Sequence, residues 1–251
     1  MLIHPVIEKL QQLRLSAMVK ILKEQHTQSG VEDLSFEERL GLLVDIELTD
    51  RENRRLQTRL RKAKLKHDAC LEDIDYQSPR GLDKSLVATL MHCQWIKAHQ
   101  NILIVGPTGT GKTFLACALA HKACLSGYTA CYHRLPRLLS DLQLGKGDGR
   151  YRKTMEDLSK VDVLILDDFG LTPFTDDHRR DLLELLDDRH QERSTIVTSQ
   201  LPVKLWHETI GNGTLADAIL DRLVHNASRF EMKGESMRKT KSRLTKEEKE
   251  S

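Results

Sequence analysis

The stretch that decides the fold is ILIVGPTGTGKT, residues 102–113. An apolar run with strand character leads into the pattern G-x-x-x-x-G-K-[ST], and residues 114–123 then have the periodicity of a helix. A phosphate-binding loop forms this pattern where a strand precedes it and a helix follows. The sequence therefore predicts a nucleotide site between residues 105 and 114.

Each part of this loop has an expected task. Its glycines let backbone N–H groups turn inward as a nest for phosphates, and the following helix adds the positive end of its dipole. We expect Lys112 to neutralise the β- and γ-phosphates of ATP and the Thr113 hydroxyl to bind Mg²⁺. The residues expected to hold the nucleotide are Gly106, Pro107, Thr108, Gly109, Thr110, Gly111, Lys112 and Thr113.

A second motif is VLILDD, residues 163–168. An apolar strand that ends in acids places carboxylates at the carboxyl edge of a sheet, where open α/β folds bind their ligands. We expect Asp167 to hold Mg²⁺, usually through water. Asp168 is expected to orient or deprotonate the attacking water. Lys112 and Asp168 are thus candidate catalytic residues.

Short apolar runs alternate with helical patterns after residue 100. They cover residues 102–105, 129–132, 161–166 and 195–198. Runs of this kind, separated by helices, predict an α/β fold with a parallel sheet and helical crossovers. The last strand ends at Gln200, which we expect beside the γ-phosphate as a sensor or water-positioning group. Ser199 is the competing candidate for that role.

The N-terminal part of the sequence shows helical periodicity in place of strand-like apolar runs. Apolar residues at steps of three and four predict one helix over 5–26, and Ser35 with Glu38 predicts a capping box at the start of a second. We therefore expect a small all-helical domain over residues 1–68, a unit for partner or DNA binding, and an ATPase domain over 69–251.

A basic stretch follows in the second helix. Residues 51–66 contain eight arginines and lysines against a single acid, Glu52. Two interpretations stay open: a solvated helix face, or a helix that contacts phosphates of DNA. The candidate DNA contacts in this stretch are Arg54, Arg55 and Arg59.

Composition excludes several classes of protein. The net charge of +2 favours no partner, and 4% aromatic residues argue against a nucleic-acid site built on base stacking. Five cysteines without a CxxC pair, and a start unlike a secretory signal, predict reduced thiols and a cytoplasmic location. No apolar run approaches the roughly 20 residues of a membrane helix, so we expect no membrane association.

Beyond the two nucleotide motifs, strings along nearly the whole chain resemble one family. They are LSAM (15–18), LSFEER (34–39), RENRRL (51–56), CLEDID (70–75), GPTGTGKT (106–113), LDDFG (166–170), TSQLP (198–202), LADAILDR (215–222) and GESMR (234–238). The chain resembles the IstB-type transposition helpers, ATPases that accompany an insertion-sequence transposase. These belong with the DnaC helicase loaders and DnaA initiators among AAA+ ATPases. The nucleotide motifs alone indicate only an AAA+ ATPase.

The resemblance implies roles for further residues. Arg222 corresponds to an arginine finger that reaches a neighbouring subunit's γ-phosphate, and Arg238 to a second sensor arginine within its own subunit. DNA contacts are expected at Lys146, Arg150, Arg152 and Lys153, in and after a glycine-rich loop at 145–149, although a solvated loop is an equal alternative. The sequence departs from the commoner AAA+ pattern in two ways. The second acid is Asp168 in place of glutamate, and only 17 residues follow Gly234, a number too small for a full helical lid, so we expect a truncated one.

The function that follows is an ATP- and Mg²⁺-dependent AAA+ switch. It is expected to assemble as a homo-oligomer on double-stranded DNA, mostly without sequence preference, and to recruit or stimulate its cognate transposase. A DnaC-like helicase loader is the alternative closest in mechanism. A small-molecule P-loop kinase would need an acceptor pocket and a lid within one subunit. A DNA scaffold that binds ATP without hydrolysing it is the fourth possibility.

Overall fold

The computed structural model describes residues 4–25 and 33–237. The chain forms two compact units, Met1–Thr58 and Arg59–Ser251. The division lies inside the long helix α3 (Phe36–Ala63), whereas the predicted domains divide after the basic stretch, at residue 68. The domain limits of 1–68 and 69–251 stay a prediction.

The N-terminal unit begins with two short helices, α1 (His4–Gln12) and α2 (Ser16–Gln25). The expectation of one helix over 5–26 is therefore wrong. Arg14 takes a left-handed conformation with φ +57°, and the Leu15 N–H donates to the carbonyl of Leu10 at 2.9 Å. This is the helix-ending turn in which glycine is usual. Because arginine occupies the position and the apolar periodicity continues, the sequence carried no visible stop signal.

Two features of α3 stabilise this unit: a capping box at the start of the helix and the buried carboxylate of Glu47. Ser35 Oγ accepts from the Glu38 N–H at 3.2 Å and Glu38 Oε2 accepts from the Ser35 N–H at 2.8 Å, so the predicted capping box is confirmed. The buried Glu47 accepts from the Ala17 N–H at 3.0 Å and from Arg51 Nε at 2.9 Å. It thereby satisfies a backbone donor at the start of α2, which has no partner within that helix.

The C-terminal unit is built on a parallel sheet with the strand order β2-β3-β4-β1-β5. The strands are β1 (Asn101–Val105), β2 (Ala130–Arg134), β3 (Val163–Phe169), β4 (Ser194–Ser199) and β5 (Ala227–Glu231). The first four overlap the apolar runs that predicted them, so the α/β class with a parallel sheet is confirmed. β1 and β4 are buried along their whole length, as strands covered on both faces must be.

The fifth strand, β5, was not predicted. Its sequence, ASRFE, contains one fully buried residue, Phe230, and its other side chains are exposed or half-buried. Among the residues that the structure describes, β5 lies at the edge of the sheet and pairs with β1 alone. An edge strand needs fewer apolar residues than a central one, so its sequence lacks the run that marks the others.

Helices flank this sheet. They are α4 (Lys84–Met91), α5 (Gln94–Lys97), α6 (Lys112–Leu125), α7 (Leu135–Asp148), α8 (Tyr151–Lys160), α9 (Asp176–Arg189), α10 (Trp206–Ile210) and α11 (Gly213–Val224). A buried hydrophobic cluster joins β3 and β4 to α7, α9 and α11 and includes Leu138, Leu164, Leu185, Val197 and Ile219. Within the two described ranges, every helix is too short or too polar to cross a bilayer.

The glycine-rich segment 145–149 is not a loop. α7 continues to Asp148, and only Gly149, with φ +78°, ends it. Gly145 is buried, and a Cβ there would lie 3.2 Å from the backbone nitrogen of Tyr151 at the start of α8. This glycine therefore allows two helices to approach, and the expectation of a glycine-rich loop at 145–149 is wrong.

Candidate functional site

The P-loop, residues 106–113, connects β1 to α6 at the carboxyl edge of the sheet. Gly106 has φ +148°, and a Cβ there would lie 2.2 Å from the carbonyl oxygen of Met232. Gly109 has φ +86°, and a Cβ there would lie 2.1 Å from Ser236 Oγ. Both positions therefore exclude any side chain, and the chain that follows β5 packs directly on the loop.

Lys112 places its ammonium inside this loop. Its Nζ donates to the carbonyl oxygens of Gly106 at 2.7 Å and Pro107 at 2.8 Å, and the residue is 8% exposed. Burial lowers the pKa of Lys112, and the nearby carboxylates of Asp167 and Asp168 act in the opposite direction. The cation is thus held by neutral carbonyls, in the position where a phosphate chain would meet the nest of backbone N–H groups.

Asp167 is the most strongly held carboxylate of the site. It is 1% exposed; its Oδ1 accepts from Thr113 Oγ1 at 2.9 Å and from Thr198 Oγ1, and its Oδ2 accepts from Tyr132 OH at 2.6 Å. Burial raises the pKa of Asp167, but these hydrogen bonds together outweigh it and hold the pKa below its ordinary value. The group therefore stays ionised beside Thr113, as a metal ligand must.

Asp168 is turned away from Asp167 by an irregularity of β3. Leu166 is in register with Val197, but Phe169 is in register with Ser199, so β3 contains one residue more than β4. Asp168 takes up this extra residue with φ +65°. Such a bulge re-aims a side chain. It directs the second acid out of the sheet plane toward Arg134, the last residue of β2, whose Nε lies 2.9 Å from Asp168 Oδ2.

The two candidate sensors at the end of β4 have different surroundings. Gln200 Oε1 accepts from Thr108 Oγ1 at 2.7 Å, so this side chain already contacts the P-loop. Ser199 is fully buried; its Oγ donates to the Phe169 carbonyl at 2.7 Å and accepts from the Leu201 N–H at 3.1 Å. The geometry favours Gln200, because the hydroxyl of Ser199 is engaged within the sheet.

Arg80 also contacts the P-loop, and sequence reasoning missed it. This residue is 8% exposed; its Nη1 donates to the Thr110 carbonyl at 3.2 Å and its Nη2 to the Asp75 carbonyl at 2.5 Å. Its own carbonyl accepts from the Lys233 N–H at 2.8 Å. Arg80 thus joins three segments that lie far apart in the chain: the connector before α4, the P-loop, and the residues after β5. A lone arginine in a connector carries no sequence signal for this role.

A cavity of about 470 Å³ opens beside the loop. Its walls include His67, Asp73, Asp75, Arg80, Gly111 and Phe114. It adjoins the phosphate nest, because Gly109, Lys112 and Thr113 also line it. Arg238 lies outside the described residues; the last residue before it, Met237, donates its N–H to the Gly109 carbonyl at 2.9 Å.

The residues present fit ATP with Mg²⁺. The glycine positions leave a backbone concavity that any Cβ would fill, which suits phosphate oxygens. The Thr113 hydroxyl and the ionised Asp167 supply hard oxygen ligands at 2.9 Å from each other, the type that Mg²⁺ prefers. Lys112, Thr113, Asp167 and Gln200 all gather at one edge of the sheet, as the sequence predicted.

Arg222 lies at the opposite edge. Its carbonyl accepts from Asn101 Nδ2 at 2.8 Å, and Asn101 is the first residue of β1, whereas the P-loop follows the last. Four steps of about 3.3 Å separate the two ends of this strand, roughly 13 Å. The guanidinium of Arg222 pairs with Asp187 of α9 and lies 3.6 Å from Asp221. Arg222 is therefore remote from the phosphate nest of its own chain.

The candidate DNA contacts differ in whether their charged groups already have a partner within the protein. Arg54 pairs with Asp50 at 2.6 Å, and Arg59 donates to the Cys124 carbonyl at 3.0 Å, while Arg55 is exposed. In the second group, Lys146 lies 2.6 Å from the buried Asp181.

The other two members of that group are more open to solvent. Arg150 pairs with Asp148 at 2.5 Å, and Arg152 is 91% exposed with Glu156 at 3.2 Å. Arg55 and Arg152 are thus the two candidates whose charge is most available to a phosphate.

Comparison with known proteins identifies the family. The model of the IstB-like ATP binding protein family matches residues 8–245. A protein of Sinorhizobium fredii named an insertion sequence ATP-binding protein is 52% identical over 243 residues, 97% of this chain and 99% of its own length. A Pseudomonas fluorescens protein named in the same terms is 51% identical, over 80% of this chain and 88% of its own.

Solved structures agree on the fold. The crystal structure of the DnaC helicase loader matches with a TM-score of 0.56 and 19% identity, over 68% of this chain and 99% of that one. A DnaA replication initiator bound to AMPPCP and single-stranded DNA matches with a TM-score of 0.54 and 17% identity, over 73% and 56%. At these identities the likeness establishes the AAA+ P-loop fold and nothing more specific.

Proposed function

Because the chain belongs to the IstB-like ATP-binding protein family, an AAA+ family of ATPases, we propose that it is an assembly switch for DNA transposition. With ATP and Mg²⁺ bound, copies of the chain assemble on double-stranded target DNA and recruit or stimulate the cognate transposase. The proposed location is the cytoplasm, in keeping with five cysteines that carry free thiols.

The observation that supports assembly is the separation of the two halves of the site. Lys112 and the acids lie at the carboxyl edge of the sheet, and Arg222 lies at the amino edge. A fixed cation at the γ-phosphate can raise the rate of P-loop NTPases by roughly 10³ to 10⁵. Arg222 serves that purpose only for another copy. Head-to-tail packing of identical chains brings one copy's amino edge to the next copy's nucleotide.

The tasks of the remaining residues follow from their positions. Mg²⁺, when bound, neutralises charge on the β- and γ-phosphates; Thr113 and Asp167 are its proposed ligands. Lys112, which is 8% exposed, stabilises the same phosphates from within the loop, where its charge acts more strongly than in bulk water. Asp168 orients the attacking water once its ion pair with Arg134 has opened. Gln200, next to Thr108, contacts the γ-phosphate and acts as its sensor.

DNA binding is proposed to be electrostatic. Arginine and lysine contacts to phosphates release counterions and give affinity without sequence preference. The exposed Arg55 of α3 and Arg152 of α8 are the leading contacts within their groups. Membership in a family whose relatives are named for insertion sequences favours a transposase as the partner over a replicative helicase.

The test is assembly on DNA, observed by electron microscopy with duplex DNA of mixed sequence in ATP and in ADP. We expect multi-subunit complexes in ATP that retain the cognate transposase in a pull-down. The matched control is Lys112→Ala, which removes the cation of the nest and should abolish both tight ATP binding and the complexes. Retention of a replicative helicase in place of the transposase would support the loader alternative. ATP-independent complexes, or unchanged ATP affinity in Lys112→Ala, would contradict the proposal.

A further inference from the structure

A segment that joins the basic helix to the sheet lies along the P-loop helix. We call residues 59–67 the basic connector. At its beginning, Arg59 Nε donates to the carbonyl of Cys124, near the end of α6, at 3.0 Å. At its end, the ring of His67 lies 6.4 Å from the ring of Phe114, in the first turn of α6. The basic connector therefore follows α6 from its last turn back to the nucleotide site.

The same segment delivers a cation to the metal carboxylate. Lys66 Nζ lies 3.5 Å from Asp167 Oδ2, the oxygen that also accepts from Tyr132 OH. The side chain of Lys66 is 36% exposed, whereas that of Asp167 is 1% exposed. A buried carboxylate is costly without a compensating positive charge. Lys66 supplies one from outside the two nucleotide motifs.

We propose that Lys66 is a positioning residue which holds Asp167 in the nucleotide-free protein and which Mg²⁺·ATP displaces. Both cations act on the same carboxylate. Two positive charges at one carboxylate repel each other, and the divalent ion has the stronger attraction. Entry of Mg²⁺ therefore releases Lys66, and with it the end of the basic connector.

The consequence is a link between nucleotide and DNA. The basic connector begins within α3, and the same helix carries Arg54 and Arg55, two of the candidate DNA contacts. Release at Lys66 lets the nucleotide state alter how the end of this helix is held on α6, which Arg59 and His67 also contact. Because this rests on the proposed use of Mg²⁺·ATP, the experiment compares the wild type with a variant under both conditions, with and without the metal.

The first measurement is the binding of ATP carrying a fluorescent ribose group, titrated with Mg²⁺. Lys66→Gln should lower the half-saturating Mg²⁺ concentration about three- to fivefold, the upper part of the range for one partly exposed ion pair. Lys66→Arg, which keeps the charge, should stay within about twofold of wild type. The matched control is Lys62→Gln, which removes the same charge from the last turn of α3 and should change nothing.

The second measurement is hydrogen exchange of backbone amides in residues 59–67. In the wild type, Mg²⁺·ATP should raise exchange near Lys66 relative to ATP with EDTA. In Lys66→Gln, exchange should be raised already without Mg²⁺. This readout does not depend on turnover.

Three results would overturn the proposal. Equal Mg²⁺ dependence in Lys66→Gln and wild type would make the ion pair an incidental surface contact. A loss of ATP affinity in EDTA by more than about fivefold in Lys66→Gln would make Lys66 a phosphate ligand instead. If ATP binding by the wild type did not depend on Mg²⁺, the proposed use of the metal would be contradicted together with the role of Lys66. The first two results, in contrast, would contradict the role of Lys66 alone.

Discussion

Arg134 Nε lies 2.9 Å from Asp168 Oδ2, an ion pair that joins the last residue of β2 to the second acid of β3. Arg134 is also the register partner of Asp167 on the neighbouring strand. This ion pair engages Oδ2 of Asp168. The role proposed for Asp168, to orient or deprotonate the attacking water, therefore requires that the pair with Arg134 opens.

We predict that Arg134→Gln raises ATP turnover without DNA by about three- to fivefold, the upper part of the range for losing one partly exposed ion pair. The KM for ATP should hardly change, since Arg134 does not line the phosphate nest. Steady-state kinetics measures this. Arg137→Gln is the control, because it removes an arginine from an exposed pair with Asp141 on α7. A fall in turnover would show instead that Arg134 holds Asp168 in its productive position.

We predict that Asp168→Asn keeps ATP affinity and slows hydrolysis by roughly 10² or more, because the orienting or accepting carboxylate is lost. ATP-dependent assembly on DNA should survive, since Thr113 and Asp167 are intact. Phosphate release and nucleotide affinity are measured on the same preparation. Turnover at the wild-type rate would move the catalytic role to another residue.

We predict that Arg222→Ala binds ATP normally and hydrolyses it poorly, with a loss in the range of roughly 10³ to 10⁵. Lys112→Ala has the finger without the nest, so each variant alone should be inactive. Mixed on DNA, the two should recover part of the ATPase activity, because Arg222 of one chain can serve the intact nest of the other.

Arg180→Ala, an exposed arginine of α9, is the control for the mixing experiment and should behave as wild type. No recovery at any ratio, with mixed assembly verified independently, would count against a finger supplied by a neighbour. Full activity of Arg222→Ala alone would rule it out.

We predict that DNA affinity falls steeply with salt and that charge reversal at the contacts reduces the slope by about one per lost phosphate contact. Reversal of Arg54, Arg55 and Arg59 tests α3, and reversal of Lys146, Arg150 and Arg152 tests the second group. Filter binding across a salt series gives the slopes.

The single variants Arg55→Glu and Arg152→Glu are the sharpest arms of this test. Both side chains are exposed, so their loss disturbs the fold least, whereas Lys146 holds the buried Asp181. If charge reversal in neither group changes the DNA affinity or its salt slope, the assignment of both groups as DNA contacts is wrong.

The sequence by itself determined the parallel α/β fold and the two nucleotide motifs. Both motifs are contiguous, and their backbone geometry is local: glycines permit the loop, and an apolar strand ends in acids. The P-loop residues and Asp167 could therefore be placed at one sheet edge from the order of residues alone. The capping box of Ser35 and Glu38 was predictable for the same reason.

Only the tertiary structure shows which residues from distant segments reach the site and how strand register directs a side chain. Lys66, Arg80 and Arg134 reach the site as single polar residues in otherwise ordinary surroundings, which no local pattern reveals. The direction of Asp168 depends on one extra residue in β3 relative to β4, a property of the pairing and not of either strand. Arg222 is remote from its own nucleotide loop because β1 lies between them. Contacts between segments far apart in the chain exist only once the chain has folded.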